Sequence, residues 1–196
     1  MLTNKLSAVI FDLDDTLVSS SLDFTKIKKS LGCPLDVDLL DFVNSKPKAQ
    51  RDVIEPQLIG YEISEAMDSV KLDGADDLLA LLHQLKLPMA IVTRNCREAA
   101  LIKMENNNLN IPIVISREEH KAKPAPDALL FLAEQWQIKP ENILYVGDFL
   151  YDIQAAINAN TMSCLVTHGK SLDYADLATL VVNELTDLCQ IIENTM

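Results

Sequence analysis

The feature that most constrains this chain is a four-residue apolar run, Ala8-Val9-Ile10-Phe11, cut off by the carboxylates of Asp12-Leu13-Asp14-Asp15. A run without polar alternation has no solvent face, so as a strand it must be covered on both sides, as in a parallel sheet. Similar runs recur at Met89-Ala90-Ile91-Val92, Ile113-Val114-Ile115, Ile143-Leu144-Tyr145-Val146 and Ser163-Cys164-Leu165-Val166, with a sixth candidate at Leu180-Val181-Val182. Helical spacing fills the intervals at 75–85, 97–106, 126–136 and 151–159 and closes the chain at 184–192. Pro126 suits the first turn of the third helix.

Strand–helix alternation with right-handed crossovers predicts an α/β fold, a three-layer Rossmann-like doubly wound parallel sheet. One stretch breaks the rhythm. Residues 18–72 hold no good strand candidate, but 23–29, 37–43 and 49–70 carry helical patterns, and Pro56 should kink or split the last. Leu72-Asp73-Gly74 reads as a return hinge. The expected organisation is an α/β core of residues 1–17 and 73–196 with a small α-helical cap insert of residues 18–72.

A formal net charge of -12 repels phosphate backbones and anionic membranes, so neither nucleic acid nor a membrane is expected as a partner. A small anionic substrate stays open, since a local cation cluster overrides the global field. Cys33, Cys96, Cys164 and Cys189 form no C-x-x-C pair, which favours free thiols over zinc or disulfides. Met1-Leu2-Thr3-Asn4-Lys5 lacks a signal-peptide pattern and no stretch is long enough to span a bilayer, so a cytoplasmic protein is expected, as monomer or homodimer.

Function should lie at the strand ends, where open α/β sheets bind ligands. In extended backbone, Asp12 and Asp14 point the same way while Leu13 packs backward; the plain alternative is an acidic surface turn. The fourth strand ends in Gly147-Asp148, with Asp152 four residues on and Gly147 leaving room for close backbone approach. Asp148 taken alone would read as a helix N-cap. Two buried strands that both end in paired carboxylates instead point to an oxygen-lined site for a hard cation, and magnesium fits better than calcium. Thr93-Arg94-Asn95 offers a hydroxyl and backbone N–H groups to a phosphate, unless Asn95 simply caps the next helix. Pro124 restricts Lys123 to an extended conformation that fixes its direction, whereas Lys121 reads as a solvated charge. His168, after the fifth strand, lies at the same edge.

Taken in order, Asp12-Leu13-Asp14-Asp15-Thr16-Leu17, Thr93, Lys123-Pro124-Ala125-Pro126-Asp127 and Gly147-Asp148-x-x-x-Asp152 resemble the four signature motifs of the haloacid dehalogenase superfamily, in its C1-capped, phosphoglycolate phosphatase-like branch. Asp15 stands where many relatives carry glycine. The resemblance implies a Mg2+-dependent phosphatase acting on a small phosphorylated metabolite. Asp12 would be the nucleophile that forms an aspartyl-phosphate, and Asp14 the general acid–base, its pKa raised by neighbouring carboxylates. Asp12, the Asp14 carbonyl and Asp148 would bind the metal, with Asp152 behind them. Thr93, Arg94, Asn95 and Lys123 would contact substrate, and Lys123 would also orient Asp12. A sugar phosphomutase uses the same core. A phosphonatase would need a cap lysine, and a dehalogenase would not need Asp14 and Asp148.

Overall fold

The computed structural model describes residues 5–195; Met1 to Asn4, on which the N-terminal expectation partly rests, and Met196 lie outside the described residues. The six apolar runs form one parallel sheet from β1 (Ala8–Phe11), β2 (Met89–Val92), β3 (Ile113–Ile115), β4 (Ile143–Gly147), β5 (Met162–Val166) and β6 (Leu180–Val182). The spatial order is β3-β2-β1-β4-β5-β6. The inner strands are buried throughout, as unalternated apolar runs require. Edge strands β3 and β6 keep partial exposure because each is flanked on one side only.

The two-residue period of the strands splits their side chains between two cores. Val9, Phe11, Ile91, Leu144 and Val146 pack beneath α4 (Ala75–Gln84) and α8 (Leu185–Glu193). Ala8, Ile10, Ala90, Ile143 and Tyr145 pack against α6 (Asp127–Trp136) and α7 (Leu150–Ala159). The order reverses at β1, whose neighbours are β2 and β4, so the carboxyl ends of these three strands frame the crevice where such sheets bind ligands.

The interval between β1 and β2 begins with three helices, α1 (Phe24–Leu31), α2 (Leu39–Asn44) and α3 (Lys48–Ala66). Asp23 and Asp38 cap α1 and α2 by accepting backbone N–H bonds, and Gly32 ends α1 at φ +70°. Ile27, Leu31, Leu39, Phe42 and Leu58 give the insert a small core of its own. Of the kink or split expected at Pro56, the split does not occur, and α3 runs through it as one helix. Pro56 and Asp52, whose carbonyl loses its partner there, are both exposed, so water can satisfy the orphan group. The two connections to the sheet run side by side: the Ser19 N–H donates to Val70 O at 2.7 Å and the Leu72 N–H to Leu17 O at 3.0 Å. Helix α3 packs across α5 (Arg97–Asn106). The four cysteines are free thiols, and among the described residues no helix is long and apolar enough to cross a membrane.

Candidate active site

Asp12 continues the β1 ladder by donating its N–H to Val146 O at 2.8 Å, then turns its carboxylate into the crevice. Oδ1 accepts from the Leu13 N–H and from Lys123 Nζ, both at 2.7 Å. Two donors on one oxygen fix the rotation of the carboxylate. Leu13 is fully buried in the core, while Asp12 and Asp14 line the same cavity, as the alternation of extended backbone requires. Asp15 takes a left-handed conformation, φ 49°, which aspartate tolerates better than most residues. His168 Nε2 lies 2.7 Å from the Asp15 carbonyl, so this histidine braces the turn.

Lys123, joined to Pro124 by a cis peptide bond, is buried between Asp12 and Asp152, with Nζ 2.6 Å from Asp152 Oδ1. The Tyr145 hydroxyl is 3.1 Å from that same oxygen, and Asp152 Oδ2 accepts the Phe149 N–H at 3.0 Å. Asp152 is thus committed to protein donors and acts on Asp12 through Lys123. Phe149, not Asp148, occupies the N-cap position of α7. Asp148 is left facing the cavity, 3.4 Å from the Thr16 hydroxyl.

Gly147 lets Asp152 lie this close. A Cβ built there would stand 2.3 Å from Asp152 Cγ. Gly147→Ala is therefore expected to destabilise the fold by about 1–3 kcal/mol. A urea midpoint unchanged from wild type would contradict this.

Asp12, Asp148 and Asp152 each offer a carboxylate oxygen, all within 4.8 Å of one another. Burial first, and then the like charges of Asp12, Asp152 and Asp15, push Asp148 to about 8. Burial likewise raises Asp12 to about 7; Lys123 pulls it down, and Asp152 and Asp14 push it up. Hard oxygen donors under mutual repulsion fit a small divalent cation, which would offset that repulsion.

Asp14 meets a partner the sequence did not reveal. Its Oδ1 accepts from Lys103 Nζ and its Oδ2 from the Asn95 amide. Lys103 comes from α5, is wholly buried, and also reaches Glu65 of α3 at 2.5 Å. The Asp14 carboxyl is raised chiefly by burial, with Lys103 opposing; Glu65 and Asp15 are the carboxylates that add to the rise. The rise expected from neighbouring carboxylates is present, with burial as its larger cause. Ala99 and Ala100, four and three residues before Lys103, mark the inward face of α5, and that was the available signal.

The second strand's end also departs from its simplest reading. Cys96, not Asn95, caps α5, which frees the Asn95 side chain for Asp14. Thr93 is buried, and its hydroxyl accepts the Asn95 N–H at 3.1 Å. The Arg94 guanidinium lines the same cavity but is tied to the insert. It grips both oxygens of Asp38 at 2.8 and 2.7 Å, bonds the Lys123 carbonyl, and stacks 4.5 Å over the Tyr151 ring.

Asp12, Asp14, Thr93 and Asp148 thereby share a cavity of about 430 Å³ between the strand ends and the helical insert. The model of the family described as haloacid dehalogenase-like hydrolase matches residues 9–166. The chain is 28% identical to the N-acetylmuramic acid 6-phosphate phosphatase of Pseudomonas aeruginosa, over 84% of this chain and 83% of that one. It is 25% identical to a phosphoglycolate phosphatase of Vibrio vulnificus, covering 86% and 87%. The crystal structure of a hydrolase from Pseudomonas syringae superposes with a TM-score of 0.79 at 19% identity, over 96% of this chain and 99% of that one. With the family model spanning every strand-end motif from Asp12 to Asp152, the chain belongs to the haloacid dehalogenase-like hydrolases.

Proposed function

We propose that this protein is a magnesium-dependent phosphatase that hydrolyses a small phosphate monoester through an aspartyl-phosphate on Asp12. The observation that carries this reading is the Asp12 carboxylate, clamped by Lys123 and the Leu13 N–H in the wall of a cavity it shares with Asp14. Asp12 attacks phosphorus, and the bond to the leaving oxygen breaks as the Asp12–phosphorus bond forms. Asp14 gives its proton to the departing alkoxide and takes one back from the water that cleaves the acyl phosphate, restoring Asp12 and releasing phosphate. Lys123 offsets charge on the transferring oxygens and holds Asp12 in line, while Thr93 borders the phosphoryl position. A magnesium ion held by Asp12, Asp148 and the Asp14 carbonyl would supply further charge neutralisation. Residues 18–72 act as a cap that closes the cavity and excludes water.

Arrangement of the same groups for a phosphomutase would return the phosphoryl group to a sugar, so accumulation of free phosphate separates the two. A panel of phosphate esters should release phosphate with magnesium and lose turnover in excess chelator, with the protein still folded by circular dichroism. Calcium should substitute poorly because its looser shell misplaces Asp12. Full turnover in chelator would eliminate the metal role.

A further inference from the structure

Building on the phosphatase reading, we infer that the natural leaving group is uncharged and presents an apolar face, and that Asp38 sets this preference by masking Arg94. The cap side of the cavity has two cations within reach, Lys28 and Arg94, and three carboxylates, Asp36, Asp38 and Glu62, the last already paired with Arg117 at 2.7 Å. With Arg117 counted, these charges cancel. Arg94 is not free, because both Asp38 oxygens hold it, and Lys28 Nζ donates to the Leu35 carbonyl at 3.0 Å. An incoming carboxylate or second phosphate would have to displace Asp38 from a charge-assisted contact in which Arg94 Nη2 reaches both of its oxygens. It would also leave Asp38 a like charge beside it.

Most of the rest of this wall is apolar. Phe24 and Phe149 line the cavity yet are 55% and 51% exposed. Phe149 and Tyr151 stand edge to face, ring centroids 5.2 Å apart, and Arg94 lies over the Tyr151 ring. A leaving group with a flat or apolar face, such as an aryl alcohol or a neutral sugar ring, covers these rings, and water is displaced. Asp38 is suited to a fixed role because its carboxylate also caps α2, accepting the Leu40 and Asp41 N–H groups at 3.0 and 3.2 Å. Burial works against the charge, but Arg94 and these N–H groups hold the carboxyl below its ordinary range. The mask therefore stays ionised at neutral pH. By this account the chain differs in specificity from its phosphoglycolate phosphatase relative, since glycolate carries a carboxylate.

The test compares kcat/KM for phenyl phosphate, glucose 6-phosphate, 2-phosphoglycolate and 3-phosphoglycerate with magnesium present. Wild type should favour the uncharged leaving groups. Asp38→Asn keeps an N-cap but frees Arg94, and it should raise the ratio of anionic to neutral substrates by about ten- to a hundredfold, the worth of one charged hydrogen bond. The double variant Asp38→Asn/Arg94→Gln should bring the ratio back to that of wild type. A wild-type preference for 2-phosphoglycolate overturns the inference while leaving the phosphatase reading intact. An Asp38→Asn ratio equal to wild type, or a shift that survives in the double variant, overturns the mask. Failure of wild type to hydrolyse any ester overturns the phosphatase reading and this inference with it.

Discussion

Asp12→Asn is expected to reduce turnover by roughly 10⁶-fold, the scale on which rate falls when an enzyme's nucleophile is removed. An amide neither attacks phosphorus readily nor attracts a cation. The fold should survive, because Lys123 keeps its 2.6 Å contact with Asp152. Its pH response should change as well. Without divalent ion, wild-type Asp12 and Asp148 sit at about 7 and about 8, above the ordinary 3.8, so the folded chain holds more protons than the unfolded one between those limits. Stability of the metal-free protein should accordingly fall as pH rises through that window. Asp12→Asn removes one titrating group and one of the charges that add to the burial-driven rise of Asp148, so its decline should be shallower. Thermal melts across the window, in chelator, measure this directly. A variant with normal turnover would rule out covalent catalysis, and a steeper decline would contradict the electrostatic account.

Lys103→Met should be the most damaging change away from the nucleophile. The side chain is wholly buried, and its loss strands Asp14 and Glu65 facing one another without a counter-charge. Breaking a buried pair in this way costs about 3–5 kcal/mol. Lys103→Met/Glu65→Gln should recover part of that loss, since one uncompensated charge is gone. Activity should fall through kcat more than KM, because Lys103 positions Asp14 and borders no part of the cavity. Alkyl esters, which need a proton on the leaving oxygen, should suffer more than nitrophenyl phosphate. Equal losses on both esters would show that Lys103 only supports the fold.

These predictions divide along what the sequence could show. The sheet was legible because Ala8–Phe11 and its counterparts lack polar alternation, a property of each run by itself. Asp12, Asp14, Asp148 and Lys123 were legible because strand ends and their sequence order place them together. Lys103 was not. A lone lysine in a helical stretch ordinarily faces solvent, and it takes Asp14 together with Glu65, laid over α5 by the insert, to make its burial tolerable. Arg94 was assigned to substrate for its position beside Thr93, yet its partner Asp38 lies 56 residues away and is reached only through the insert's fold. Asn95 has the better N-cap side chain, but the chain gives that position to Cys96, because Asn95 is drawn to Asp14. At Pro56, exposure rather than local propensity decided that α3 stays whole. In each case the deciding contact is tertiary.

The central claim is the covalent bond to Asp12, and trapping it is the most direct measurement. Asp14→Asn should still let Asp12 take the phosphoryl group from nitrophenyl phosphate, whose leaving group needs no proton, but should fail to activate water for the second step. Rapid quenching of this variant after mixing with substrate and magnesium should show a burst of nitrophenol close to one equivalent of enzyme. Mass spectrometry of the quenched protein should then find one added phosphoryl group, sensitive to hydroxylamine, on the peptide that carries Asp12. A phosphoryl group on any other residue, or a burst without any protein-bound phosphate, would contradict the account.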